Sequence, residues 1–399
     1  MTSEQKTLLA VLSNVLFSNS AISYEVEDWD SVFKEASHQA VLSLTYSLME
    51  KTDIPKSILN KWCAKESADI ANNIKCLHNH TLLNDWLKTE NIPYVILKGA
   101  SSAYYYLSPE LRTMGDVDFL VKDTDLDRVG GILESKGLSK LNQDHDAHLV
   151  YRGNGMHYEM HYKVAGIPQG KPELLVKQYL QDVFDVSELK TIDGESFVLP
   201  SKFHHGLIIL LHTIHHLTGE GIGLRHLCDW AVFENSLSEQ EFRNTFEDSL
   251  KAIGLWKFAQ ILTRTSIKYL GASNREWAQL DNDDIVDELM EDILTSGNFG
   301  KKDTERAKES LLISSRGKNG VGHTGMFSQF IYSMNDRIRH IWPFTKKNYL
   351  FLVLGWFMYG FRYIGLLITG KRELTNVNHL INESERRREI YSKLKLYEV

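Results

Sequence analysis

The chain has 399 residues, 43% of them hydrophobic and 24% charged, with a formal net charge of −7. That length exceeds what one hydrophobic core usually serves and predicts two or three domains. The composition, poor in proline and without repeats or low-complexity tracts, excludes a disordered or fibrous protein. A negative sum leaves no electrostatic footprint for a nucleic-acid backbone, so nucleic acid is not an expected partner.

The opening stretch, MTSEQKTLLAVLSNVLF, mixes charge signs and has no small-residue cleavage site after its apolar part, so an amphipathic helix is expected and not a signal peptide. Cys63, Cys76 and Cys228 are odd in number and far apart, which argues against a disulfide framework and points to a reducing, cytoplasmic setting. From Lys56 to Lys88 the chain runs without Gly or Pro and recurs apolar at helical spacing, which predicts a long packing helix. IPYVILKGASSAYYYL then predicts a short strand from Tyr94 to Leu97, a break at Gly99 and a helix-compatible segment after it. DVDFLV is the next strand, and DTDLDRVGGILESKG a capped helix that stops at Gly137. AHLVYRGNGMHYEMHYKV reads as a hairpin, two alternating runs joined around Gly153, Asn154 and Gly155.

From about Ser201 onward FHHGLIILLHTIHHL, LRHLCDWAVFENSL and later segments are helical, ending in the charged NESERRREIYSKLKL. This order predicts an α+β fold: a helical region over residues 1–90, an α/β core over 91–200, a helical domain over 201–340, and a hydrophobic helix plus charged terminal helix over 341–399. Within the last, YLFLVLGWFMYGFRYIGLLITG (Tyr349 to Gly370) is long enough to span a bilayer. Arg362 near its middle would cost about 2.5 to 3.5 kcal/mol there. Lys346 and Lys347 before it and Lys371 and Arg372 after it give no orientation. A buried helix, a membrane-surface anchor and a span stay open, with peripheral attachment favoured because a lipid-linked sugar substrate would explain it.

The chemistry concentrates in LRTMGDVDFLV. Side chains on a strand alternate faces, so Asp116 and Asp118 project together while Val117 and Phe119 point the other way. Two carboxylates that close repel, and a divalent cation is the natural neutraliser; oxygen-only ligands suit Mg²⁺, which shares its shell with phosphates. In HYEMHY the same alternation groups His157, Glu159 and His161. A strand lying beside the first would let Glu159 complete a three-carboxylate site for two metals and in-line displacement at phosphorus. LKGASSA offers a phosphate cradle: Gly99 leaves the strand without a Cβ, and Ser101 and Ser102 open a helix whose N–H groups attract anions. Lys98 and Arg112 are placed to assist with a triphosphate tail.

The ordered elements YVILKGASSAYYYLSPELRTMGDVDFLV, HYEMHY and GIGLRHLCDWAVF resemble the bacterial uncharacterised nucleotidyltransferase family, within the DNA polymerase beta-type superfamily, over residues 30 to 235. The resemblance implies a twisted mixed sheet of five strands or fewer with catalysis at one edge. It further implies a nucleoside triphosphate substrate, ATP among the candidates, and transfer of its monophosphate to an acceptor hydroxyl or phosphate. A link to surface-polysaccharide biosynthesis comes with it, and the acceptor stays open between a small molecule, a lipid-linked sugar and a protein side chain. A catalytically silent nucleotide- or glycan-binding module is the rival reading. Where the superfamily prefers Gly-Ser, this chain has Gly99-Ala100, so the hydroxyl falls to Ser101 or Ser102.

His161 is expected to orient a carboxylate, to touch substrate, or equally to be a satisfied structural histidine. Tyr104, Tyr105 and Tyr106 are expected mainly in packing. His204, His205, His212, His215, His216 and His226 lack the His-Glu-x-x-His pattern and nearby cysteine pairs of a zinc site, so core, capping or substrate-edge roles are expected. The resemblance puts Arg225 and Asp229 on helices covering the cleft; a salt bridge between them is the alternative.

Overall fold

An amphipathic start, a Thr2 cap and a glutamine three residues on make α1 (Ser3–Phe17): Thr2 Oγ1 accepts from the Gln5 amide, and the Gln5 side chain accepts from the Thr2 amide. The structure is a computed structural model. It describes residues 1–18, 28–49, 54–141, 147–168, 170–303, 305–313, 326–369 and 377–398. Lys371 and Arg372, expected to flank the hydrophobic segment, lie outside the described residues.

α2 (Trp29–His38) and α3 (Leu42–Met49) lead to the 34-residue α4 (Lys56–Thr89). The α/β core follows: β1 (Tyr94–Ile96), a single helical turn α5 (Ala100–Ala103), β2 (Val117–Val121), α6 (Leu126–Ser135) and β3 (Ser139–Lys140). β4 (His148–Gly153) and β5 (Met156–His161) form the expected hairpin. Its two turn residues, Asn154 (φ 51°) and Gly155 (φ 68°), both adopt the left-handed backbone that a tight hairpin turn requires. The five strands run in the order β1-β2-β5-β4-β3, antiparallel throughout except β2 with β5, which are parallel. After α7 (Lys171–Tyr179), β6 (Glu188–Ile192) and β7 (Glu195–Leu199) make a separate hairpin turned by Asp193-Gly194.

One face of the five-stranded sheet is apolar. Val117, Phe119 and Val121 from β2 and Tyr158 and Met160 from β5 bury against Cys76, Leu83 and Leu87 of α4. A second core is helical, built on α8 (Lys202–Thr218), α9 (Leu224–Asn235), α10 (Glu239–Ala252), α11 (Trp256–Leu270) and α12 (Asp284–Ser296), with α1 packed into it. α13 (Arg306–Glu309) begins a tie to the chain's end. α14 (Met326–Ile341) and α15 (Tyr349–Ile368) pack on each other around Met334, Ile338 and Leu352, a small cluster of their own. α16 (Val377–Leu394) returns to the helical core, where the buried Arg387 pairs with Glu309 at 2.9 Å and donates to the Gly219 carbonyl at the end of α8.

The expected α+β order is therefore present, with a mixed sheet of five strands. The helix after Gly99 is only one turn long, because the chain bends after Ala103 and runs into the loop before Pro109.

Candidate active site

The sheet's other face carries the charge. Parallel pairing sets Asp118 of β2 directly opposite Glu159 of β5. Asp116 precedes β2 by one residue and lines the same cleft. The convergence expected from side-chain alternation is thus realised by the β2–β5 pairing, which brings in a residue from the hairpin.

These carboxylates are held by cations and imidazoles. Lys98 Nζ lies 3.1 Å from Asp118 Oδ1. The buried His161 ring puts Nε2 3.1 Å from Asp118 Oδ1 and 3.3 Å from Glu159 Oε2, between the two acids. His157 Nδ1 stands 3.6 Å from Asp116 Oδ1, and His148 Nε2 3.8 Å from Glu159 Oε2. Of the expected places for His161, the structure puts Nε2 against the two acids and the ring in a buried position beside them.

The two aspartates titrate differently. Burial first, then the Asp118 and Glu159 charges, push Asp116 up to about 6. Burial alone would also raise Asp118, but the Lys98 ammonium and the His161 hydrogen bond outweigh it and hold Asp118 well below the carboxylate range. A negative cluster that raises one of its own members is one that a divalent cation relieves. Asp116, Asp118 and Glu159 line the cleft as residues that would hold a divalent metal ion, and around Glu159 the ligand atoms of His148, Glu159 and His161 lie within 4.8 Å of one another.

Lys98, Gly99, Ser102, Arg112, Asp116, Asp118, Glu159 and His161 line one cleft of about 790 Å³. Gly99 turns at φ 58° and ψ −105°, a left-handed backbone that a side chain would strain. Three residues or elements differ from expectation: Ser101, α5 and Arg112. Ser101 does not face the cleft; its Oγ is buried 2.8 Å from His205 Nδ1, so the cleft hydroxyl is that of Ser102. The one-turn α5 also lacks the length for the helix-terminus anion effect.

Arg112 is the third. Its guanidinium is buried and forks onto Asp229, Nε to Oδ1 at 3.0 Å and Nη2 to Oδ2 at 2.6 Å, and the remaining nitrogen donates to the Thr113 carbonyl. Tyr106 adds its hydroxyl to Asp229 at 2.8 Å. Buried and held by the Asp229 fork, Arg112 braces the cleft wall instead of reaching out to a triphosphate. Asp229 accordingly pairs with Arg112 and not with Arg225. Tyr105 stacks on His205 and meets Phe233 edge-on, the packing role expected of these tyrosines.

His212, His216, Arg225, His226, Phe299 and Arg337 also line the cleft. Of these, Phe299 and Arg337 went unremarked in the sequence, because they come from far along the chain and carry no motif. Histidines one turn apart on α8 were the available signal for the rest. A neighbouring cavity of about 770 Å³ shares His148, Ala165 and His215 with the cleft and contains none of the three acids.

Two solved structures are similar to the chain. One is the solution structure of the antibiotic-resistance factor ANT(2'')-Ia, 14% identical, covering 46% of this chain and 95% of that one at a TM-score of 0.32. The other is the crystal structure of an antigenic nucleotidyltransferase-like protein from Paracoccidioides brasiliensis, 16% identical, covering 52% and 97% at a TM-score of 0.33. No curated protein matches. The sequence profile of a family described as uncharacterised nucleotidyltransferase matches residues 25–271, which takes in the sheet, all three acids and α9, which carries both Arg225 and Asp229. The chain belongs to that uncharacterised nucleotidyltransferase family, and its chemistry is nucleotidyl transfer.

Proposed function

We propose that the enzyme transfers a nucleoside monophosphate from a nucleoside triphosphate to a hydroxyl or phosphate oxygen of an acceptor, using two Mg²⁺ ions and releasing pyrophosphate. The observation that carries this reading is the pairing of Asp118 with Glu159 beside Asp116 in one cleft. Bound by these acids, the cations supply charge stabilisation at the phosphoryl oxygens. The acceptor oxygen forms a bond to the α-phosphorus as the bond from that phosphorus to the bridging oxygen breaks, its electron pair leaving with pyrophosphate. An acceptor hydroxyl gives its proton to Glu159. His161 keeps Asp118 and Glu159 aligned, Lys98 offsets the local negative charge, and the missing Cβ at Gly99 together with the Ser102 hydroxyl receives the triphosphate.

Incubation with each labelled nucleoside triphosphate tests this. Pyrophosphate release that depends on Mg²⁺ and stops on chelation is expected; label on the protein itself would identify a protein acceptor. Binding of triphosphate without release in any acceptor mixture would favour the silent module.

The acceptor reading extends to a membrane. The apolar window from Tyr349 to Leu366 on α15 is only 11% buried, which favours a surface anchor over a core helix. Leu350, Phe357 and Phe361 are 72%, 63% and 73% exposed, and Lys346 and Lys347 lie exposed beside them. The enzyme works at the cytoplasmic membrane surface, where a lipid-linked sugar of the kind used in surface-polysaccharide assembly meets the cleft. Flotation of the full chain with phosphatidylglycerol-containing vesicles, lost on Phe357→Ser with Phe361→Ser, is the expected result. Equal flotation of the double variant would remove α15 from that role.

A further inference from the structure

A second group of side chains lines the catalytic cleft, and nothing in the transfer reaction described above uses it. His212 and His216 sit one turn apart on α8, and His226 follows on α9; their ring nitrogens come within 4.8 Å of one another. Phe299 packs against His216 at 4.6 Å and His226 at 5.3 Å. Arg225 lays its guanidinium over the same ring at 5.1 Å.

These groups are short of partners. His226 is 4% exposed, and among the described residues neither of its ring nitrogens has a hydrogen-bond partner; the same holds for His212 Nδ1. Arg225 makes a long hydrogen bond to the Thr113 carbonyl at 3.4 Å, and its buried Nε has no acceptor among the described residues. Among the described residues no carboxylate pairs with Arg225, because Asp229 is engaged by Arg112. Buried donors left in this state cost free energy unless a ligand supplies acceptors.

Charge decides which ligand. Three imidazoles are a familiar donor set for a transition metal, but a cation here would face Arg225 as well as Lys98. Both lower the affinity of His216 and His226 for a proton and oppose a metal ion for the same reason, on top of the larger effect of burial. An anion meets those two cations favourably, against the opposing Asp229 carboxylate near His226: it pairs with the guanidinium and accepts from the imidazole N–H groups. A tetrahedral dianion with several oxygens matches an Arg fork flanked by imidazoles better than a single carboxylate does.

We infer that Arg225, His212, His216 and His226 form a phosphate-binding subsite in the cleft, distinct from the three acids. This deepens the nucleotidyltransferase reading and rests on it. The phosphate belongs either to the tail of the nucleoside triphosphate or to the acceptor, which would then be a phosphorylated molecule.

Titration calorimetry on the full-length protein, with inorganic phosphate, phenyl phosphate and a non-hydrolysable nucleoside triphosphate with Mg²⁺ as probes, separates these. Arg225→Gln should weaken phosphate binding roughly tenfold to a hundredfold, as expected for a lost charge-assisted contact, and Arg225→Lys should recover part of it. A matching loss of triphosphate affinity identifies the tail as the source. Unchanged triphosphate affinity with lost phenyl phosphate binding identifies a phosphorylated acceptor. His216→Gln serves as an independent variant should Arg225→Gln fail to fold. The subsite is overturned if both variants bind phosphate like the wild type, or if Zn²⁺ binds the histidines and Arg225→Gln tightens it. Asp118→Asn should still bind phosphate. A failed transfer reaction with intact, Arg225-dependent phosphate binding would therefore sink the enzyme reading and leave the anion site standing.

Discussion

Asp118 is surrounded by Lys98, His161 and Glu159 and buried to 8% exposure, an arrangement that keeps it ionised and leaves its charge available to a cation. Asp118→Asn should lower Mg²⁺-dependent pyrophosphate release about a hundredfold or more, the scale of losing a group that stabilises transition-state charge, while circular dichroism stays unchanged; retained turnover would remove Asp118 from the chemistry. Asp229 makes the opposite prediction. It has no place in the transfer, yet Asp229→Ala strands the buried Arg112 charge, and a loss of about 3 to 5 kcal/mol in denaturant stability is expected. Asp116, Asp118 and Glu159 were legible in the sequence because a strand's two-residue period groups side chains without any knowledge of neighbours. The Arg112–Asp229 fork was not, since the two partners meet only when α9 packs against the loop before β2.

At the scale of elements, the turn between β1 and α5 is the most constrained. Gly99 holds a positive φ, and an added Cβ there would sit 3.6 Å from the Asp116 carbonyl, so space is adequate and the backbone conformation is the obstacle. Gly99→Ala should therefore cost about 1 to 3 kcal/mol through strain, and should weaken nucleoside triphosphate binding as well, readable by thermal melting with and without ligand. The hairpin β4–β5 was legible from Asn154-Gly155 between alternating runs. The hairpin β6–β7 had the same kind of signal in Asp193-Gly194, and what a single strand pattern could not tell was that it would stand outside the main sheet. Ser101 and Ser102 show the same limit on a smaller scale: a single turn of helix sends one hydroxyl to His205 and the other to the cleft.

Across the whole molecule, the seam between the α/β core and the helical domain is lined with histidines that burial keeps neutral. Burial lowers His80 to about 4 and His205 to about 3, against an unfolded value of about 6.5. Both folded values are depressed, so the unfolded chain binds protons that the native state refuses; stability is complete above about pH 6.5 and declines as pH falls toward 4. Each histidine contributes a slope of up to about 1.4 kcal/mol per pH unit in that window. His205→Gln should flatten the dependence of unfolding free energy on pH between 6.5 and 4 by one histidine's share; an unchanged slope would mean that His205 is not buried neutral.

The sequence by itself determined the α+β order, the long α4, the hairpin and the identity of three acids, because helix and strand periods and turn chemistry are local properties. It also marked the apolar stretch of α15, whose length and composition are independent of fold. Only the tertiary structure decided that β2 and β5 lie side by side, that Arg112 is consumed by Asp229, that Arg225 finds no carboxylate among the described residues, and that these leave the apolar face of α15 uncovered. Each of these depends on which surfaces meet across long stretches of chain, and burial and charge pairing acquire values only after that meeting is made.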